Sequence, residues 1–169
     1  MQHFSSHLAS AWLTAVALFV ALAAPASVAQ SPSPSPTLAV GTQSPQAVSG
    51  KVTLVFYWAT TCPVCRDSLP ELRANQQGWS KKPFALVSVN VDKNRSDWVS
   101  YESIMKATQA AKASPPAAAA PGWISQFQDT APVGKLPITL LVNTSGKIIA
   151  RYEGRLAPEV WDVVAELLP

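Results

Sequence analysis

The feature that most constrains the fold of this chain is an apolar strand that leads directly into two closely spaced cysteines. Residues 51–58 form a run of β-branched and aromatic side chains, which is typical of a strand buried on both faces. Cys62 and Cys65 follow, with Pro63 between them. Proline suits the first position of a helix because it has no N–H to lose there. The segment therefore predicts a buried strand, a short loop and a helix that begins at the cysteines.

The spacing of these cysteines, which are the only two in the chain, indicates a dithiol that opens and closes reversibly. Backbone N–H groups and the helix dipole at a helix N-terminus favour the thiolate of Cys62. A structural disulfide fits less well, because closing so short a loop removes little entropy from the unfolded chain. Zinc fits worse still, since four ligands are needed and no histidine follows residue 29. We predict a redox-active pair, without a metal or any other cofactor.

Residues 1–29 are predicted to be a signal peptide. Residues 11–24 are apolar over the length of a secretory hydrophobic region, and small residues at 27–29 suit a cleavage site. His3 and His7 precede the apolar region, but no lysine or arginine does, so an uncleaved N-terminal anchor is the alternative. Export would place the protein in the periplasm, where cysteines are readily oxidised.

The rest of the chain is predicted to be one domain behind a linker. Residues 30–37 are rich in serine and proline, which favours an extended tether, and residues 38–169 are enough for a single core. The formal net charge of +3 is small and its positive residues are scattered. We therefore expect a solvated surface and no binding of nucleic acid.

Apolar patterns predict alternating strands and helices along this domain. The predicted elements are a strand at 51–58, a helix from Pro63 to Gln77, a strand at 84–91, a helix from Asp97 to about Ala113, a short helix at 122–127, strands at 138–142 and 147–152 joined by a turn, and a helix from Pro158. Asp97 is the expected N-cap of its helix. This order predicts an α/β fold with a central mixed sheet flanked by helices on both faces. Residues 106–134 are rich in alanine and proline and are predicted to be an insertion.

Two segments carry a resemblance to a known family. Residues 56–65, Phe-Tyr-Trp-Ala-Thr-Thr-Cys-Pro-Val-Cys, are followed by Leu69-Pro70, and residues 136–149 begin Leu-Pro-Ile-Thr. On these motifs the chain from about 51 to 168 resembles the thioredoxin superfamily. More narrowly, it resembles the exported TlpA/ResA/CcmG-type (DsbE-like) thiol-disulfide oxidoreductases. The resemblance implies a thioredoxin-like fold over nearly the whole domain.

The resemblance also implies roles for individual residues. Cys62 would attack a partner disulfide, and Cys65 would release the mixed disulfide. Pro137 would be a cis-proline facing the dithiol, with the backbone of Leu136 open to an extended partner segment. The residues implied in active-site support and partner binding are Trp58, Pro63, Val64, Leu136 and Pro137. The implied partners are substrate proteins with disulfides or dithiols and a membrane protein that donates electrons through a thiol. The protein itself is expected to be a monomer.

The chain departs from the family pattern at three positions near the dithiol. Thr61 stands where the family usually has tryptophan, Phe56 where cytoplasmic thioredoxins have aspartate, and Ser68 where exported reductants often have glutamate. Asp67 and Glu71 are nearby, and helical geometry is expected to point them to solvent. The proton acceptor for Cys65 is therefore unassigned.

Three functions are compatible with these residues. The first is a protein-disulfide reductase of the cytochrome c maturation type. The second is a disulfide oxidase or isomerase of the same fold, because the residues between the cysteines tune the redox potential. The third is a non-catalytic thioredoxin-fold binding module whose disulfide stays closed.

Overall fold

A computed structural model of the protein describes residues 39–112 and 122–169. The described elements are, in chain order, β1 (Val52–Trp58), α1 (Pro63–Gly78), β2 (Phe84–Asn90), α2 (Arg95–Lys112), β3 (Trp123–Phe127), β4 (Ile138–Val142), β5 (Ile148–Glu153) and α3 (Glu159–Leu167). The predicted signal peptide and linker lie outside the described residues, as do residues 113–121 of the predicted insertion.

The described strands form one mixed sheet in the order β3-β2-β1-β4-β5. Strand β1 lies at its centre, where it pairs in parallel with β2 and antiparallel with β4. Strand β3 continues the sheet in parallel beyond β2, and β5 continues it antiparallel beyond β4. The predicted α/β class with a mixed sheet is confirmed.

Helices α1 and α3 pack on one face of the sheet, over the side chains of alternate residues of β1. This core cluster includes Leu54, Phe56 and Trp58 from β1, Leu69 and Leu72 from α1, and Val160 and Val164 from α3. The intervening residues of β1 point to a second cluster on the opposite face. Every residue of β1 is therefore buried, which explains why its sequence is apolar without alternation.

The prediction of a short helix at 122–127 is wrong, because this segment is strand β3. Its residues pair with β2 from Leu86 opposite Trp123 to Asn90 opposite Phe127. Trp123 packs against the first core cluster and its neighbour Ile124 against the second, as the two-residue period of a strand requires. Pairing with β3 also satisfies the N–H and C=O groups along an edge of β2 that would otherwise be left open.

The predicted N-cap at Asp97 is also wrong. Helix α2 begins at Arg95, so Asp97 lies in its first turn. Its backbone N–H donates to the carbonyl of Asn94 at 3.2 Å. A carboxylate is favourable there because the helix dipole is positive at this end.

Adjacent valines of α3 test the contribution of the core. Val164 is fully buried, whereas the side chain of Val163 is 40% exposed. We expect Val164→Ala to lower the free energy of unfolding by about 2 kcal/mol, because it removes buried methyl groups and leaves a cavity. The same change at Val163 should alter it by no more than about 0.5 kcal/mol. Urea unfolding of both variants measures the difference, and equal losses would contradict this packing.

Candidate active site

The loop from β1 to α1 places Cys62 at the N-cap of the helix. Cys62 has an extended backbone (φ −95°, ψ 105°), and Pro63 begins the helix, as the sequence predicts. The N–H of Cys62 donates to the carbonyl of Ala59 at 3.1 Å, which closes the turn after the strand. The N–H of Cys65 donates to Sγ of Cys62 at 3.2 Å. The sulfur of Cys62 therefore occupies the position of a helix-capping acceptor, where a thiolate is stabilised.

Cys62 and Cys65 form a disulfide, with an S–S distance of 2.10 Å and 5.2 Å between their Cα atoms. Their surroundings differ. Cys62 is half-buried and its neighbours Thr61 and Pro63 are exposed, whereas Cys65 is completely buried. A partner thiolate can therefore reach only the sulfur of Cys62.

The peptide bond between Leu136 and Pro137 is cis, as the family resemblance implies. Pro137 directly precedes Ile138, the first residue of β4, which pairs with Tyr57 near the end of β1. It therefore lies at the end of the sheet where β1 leads into the cysteine loop. The carbonyl of Pro137 accepts from the N–H of Gly154 at 2.8 Å. The cis-proline and the dithiol thus lie at the same edge of the sheet.

An ion pair on β5 holds the loop that precedes Pro137. Arg151 pairs with Glu153 at 2.5 Å and donates to the carbonyl of Val133. Glu153 also accepts from the backbone N–H of Lys135 at 3.1 Å. Gly134 lies between these anchors with φ +135°, a backbone conformation that residues with a Cβ rarely adopt. A Cβ there would also meet the side-chain ends of Arg151 and Glu153, so any other residue would have to displace the ion pair.

The interior holds Trp58 and two of the three departures, Phe56 and Ser68, whereas Thr61 is exposed next to Cys62. Trp58 is buried, its indole Nε1–H donates to Ser88 Oγ at 2.9 Å, and its ring meets Tyr101 edge-on at 5.2 Å. It is the last residue of β1, directly before the cysteine loop. Phe56 is buried, and the Ser68 hydroxyl donates to the carbonyl of Val64 at 2.9 Å.

The expectation that Glu71 points to solvent is wrong, while Asp67 is exposed as expected. The carboxylate of Glu71 accepts from Trp161 Nε1–H at 2.9 Å and from Arg155 at 3.3 Å. Glu71 turns toward α3 because that helix supplies both an indole donor and an adjacent cation. A cavity of about 10 Å³ lies there, lined by Phe56, Ser68, Glu71, Leu72, Leu156 and Trp161.

The sequence interpretation missed Asp92, a buried carboxylate beside the cysteine loop. It accepts from the backbone N–H of Thr60 at 2.8 Å. A usable signal was present, because Asp92 directly follows a buried parallel strand and such strand ends lie at the same edge of a sheet. The Arg151–Glu153 pair was also missed, since nothing in the linear pattern links β5 to the loop at 133–136.

The described residues contain no group of three or more histidine, cysteine, aspartate or glutamate side chains that could hold a metal ion. Across residues 39–112 and 122–169, we find no helix with the length and hydrophobicity needed to cross a membrane.

A disulfide at the start of a helix, after the central strand of a mixed sheet and beside a cis-proline, defines a redox protein of the thioredoxin-like fold. The chain belongs to the AhpC/TSA family, whose profile matches residues 23–163. No curated protein sequence matches it.

Solved structures with the same fold include three bacterial proteins. A thiol:disulfide interchange protein of the thioredoxin family from Chlorobium tepidum is 16% identical, covering 79% of this chain and 97% of its own, with a TM-score of 0.53. One from Bacteroides sp. is 21% identical, with coverages of 76% and 90% and a TM-score of 0.53. StoA from Bacillus subtilis is 18% identical, with coverages of 70% and 84% and a TM-score of 0.51. At these identities the likeness establishes the fold.

The ion pair next to the cis-proline loop should make stability depend on pH. The hydrogen bond from Lys135 and the contact with Arg151 lower the pKa of Glu153. Its contribution to stability is therefore present above the ordinary glutamate pKa, and it is lost as pH falls through the lowered folded-state value. We expect Glu153→Gln to be less stable than the wild type near neutral pH, with the difference disappearing in acid. Urea unfolding at about pH 7 and about pH 3 measures this. Glu166→Gln, at an exposed position, is the control, and the same pH dependence in both variants would contradict this assignment.

Proposed function

We propose that the protein is an exported thiol-disulfide oxidoreductase that reduces disulfides in partner proteins. The observation that carries this proposal is the unequal exposure of the two sulfurs. Cys62 is half-buried at the surface and Cys65 is completely buried behind it. A disulfide with one accessible sulfur at a helix N-terminus suits reversible exchange, because only one mixed disulfide can form.

The reaction consists of two exchanges. In the reduced protein, the thiolate of Cys62 attacks one sulfur of a partner disulfide, forms a mixed disulfide and releases one partner thiolate. The thiolate of Cys65 then attacks Sγ of Cys62 and releases the second partner thiolate. Two electrons pass to the partner, each partner thiolate takes up a proton, and the Cys62–Cys65 disulfide re-forms. A donor dithiol must then reduce this disulfide, for which we propose a membrane thiol protein.

The surface around the cis-proline supports an extended protein segment as the substrate. The backbone N–H and C=O of Leu136 form no hydrogen bond with other described residues, so both groups are open to a partner strand. The side chains of Val64 and Val133 are 46% and 60% exposed and can contribute apolar contacts. We propose that Leu136 and Pro137 bind the partner backbone, while Pro63 and Val64 contact the segment beside its disulfide.

We further propose the periplasm as the location and cytochrome c maturation as the kind of process served. The predicted signal peptide supports export, and the resemblance at residues 56–65 supports the role. A monomer is sufficient for the proposed reaction, because one chain supplies both sulfurs and the cis-proline loop.

Substitution of each cysteine tests the proposed roles. We expect Cys62→Ser to reduce the dithiothreitol-driven reduction of insulin to background, because the attacking sulfur is lost. Cys65→Ser should instead accumulate mixed disulfides with partner proteins, which gel electrophoresis without reductant detects. Ser100→Ala, at an exposed position of α2, should behave as the wild type. Full activity of Cys62→Ser would contradict the proposal.

The direction of electron flow follows from the reduction potential. For a reductant we expect a value near that of thioredoxin, about −270 mV, measured by equilibration with dithiothreitol or glutathione. A value near −120 mV, as in a strongly oxidising protein, would assign the protein as an oxidase instead. A disulfide that does not equilibrate and a thiol that cannot be alkylated after mild reduction would favour a non-catalytic module.

A further inference from the structure

Asp92 is a buried carboxylate that the proposed exchange reaction does not use. It lies two residues beyond β2 and is only 4% exposed. One oxygen accepts from the backbone N–H of Thr60 at 2.8 Å, and the other accepts from Asn90 Nδ2 at 3.0 Å. The backbone N–H of Asp92 in turn donates to Asn90 Oδ1 at 3.0 Å. Both carboxylate oxygens therefore accept from N–H donors.

Among the described residues, Asp92 forms no ion pair; the ion pairs found there are Arg151–Glu153 and Arg155–Glu71. The neighbouring Lys93 is exposed. A buried charge without a counterion is unfavourable, even with hydrogen bonds, compared with a neutral residue of the same shape. An asparagine could accept from Thr60 but could not also accept from Asn90 Nδ2. Exchanging the two residue types would restore every hydrogen bond with the charge at residue 90, so hydrogen bonding alone does not fix the charge at residue 92.

The negative charge of Asp92 lies close to Cys62. Thr60 precedes Cys62 by two residues, and its backbone N–H lies 2.8 Å from the carboxylate of Asp92. Even if the chain between Thr60 and Cys62 were fully extended, the carboxylate would lie no more than about 12 Å from the Cα of Cys62. The intervening loop is covered on one side by the core, which includes the buried Ala59 and Trp58. At an effective dielectric constant of roughly 20 to 40, a charge at this distance changes an equilibrium about three- to tenfold.

We propose that Asp92 is a positioning residue that makes the Cys62–Cys65 couple more reducing. Its carboxylate holds the loop through Thr60 and opposes the thiolate of Cys62, counteracting the stabilisation from the N-terminus of α1. A less stable thiolate makes the dithiol form less stable, and the couple gives up its electrons more readily. This inference rests on the proposed thiol-disulfide exchange and concerns what sets its direction.

The first test is Asp92→Asn, measured as the equilibrium constant with glutathione at about pH 8. We expect the equilibrium to shift about three- to tenfold toward the dithiol. The midpoint of the pH profile for alkylation of Cys62 should move to lower pH. Asp97→Asn, at the exposed start of α2, removes the same charge without touching the loop and should change neither quantity.

The second test keeps every hydrogen bond of this network. In the double variant Asn90→Asp/Asp92→Asn, the amide of residue 92 accepts from Thr60 and donates to the carboxylate at residue 90. The charge then lies inside the sheet, because residue 90 pairs with Trp58, four residues before Cys62. We expect the equilibrium with glutathione to shift toward the dithiol in this variant as well, but only about twofold. A purely structural role would leave this variant at the wild-type value.

The outcomes separate this inference from the proposed function. A wild-type protein that does not equilibrate with glutathione would refute the exchange reaction itself. A wild type that equilibrates, with an unchanged constant in a folded Asp92→Asn variant, would refute the role of Asp92. If Asp92→Asn does not fold, the double variant Asn90→Asp/Asp92→Asn is the deciding test. An equilibrium constant with glutathione equal to that of the wild type, or shifted toward the disulfide, would then refute the inference.

Discussion

The hydrogen bonding of β1 on both of its sides determines where every element of the site lies. Pairing in parallel with β2 brings the carboxyl ends of the two strands together, and antiparallel pairing with β4 brings the start of that strand to the same edge. The cysteine loop, Asp92 and the cis-proline come from distant parts of the sequence. They lie at one edge because each follows or precedes a strand whose register is set by β1. A slip of one residue in either pairing would turn buried side chains to the wrong face and separate these groups.

Two opposing electrostatic influences act on Cys62. The first turn of α1 directs the N–H of Cys65 at its sulfur, which favours a negative charge. Asp92 places a buried negative charge behind the same loop, which disfavours it. The redox potential of such a pair depends on the difference between these terms rather than on the dipeptide Pro63–Val64 alone. This explains why the residues between the cysteines could not decide the direction of electron flow.

Local patterns were sufficient for β1, α1 and the hairpin of β4 and β5, because their periodicity and turn residues agree with the final fold. They failed at β3, since its strand conformation depends on pairing with β2, more than thirty residues earlier. Glu71 was assigned to solvent because helical geometry does not reveal that α3 supplies Trp161 as a donor. Asp92 was missed because its role depends on Thr60, which is close in space but 32 residues away. The cysteine pair was found from its spacing and its position after a buried strand. The cis-proline was found through the resemblance, whose motifs combine local and distant residues.

The complete burial of Cys65 has a consequence for oxidative damage. In the reduced protein, with the same exposure of the two residues, a peroxide can reach Cys62, whereas it cannot reach Cys65. The first oxidation product at Cys62 would be a sulfenic acid, which condenses with a neighbouring thiol to a disulfide and water. The buried sulfur lies one helical turn away and is held ready for this condensation. Oxidation would therefore stop at a reversible product, and the inner cysteine would protect the outer one from irreversible conversion to a sulfinic acid.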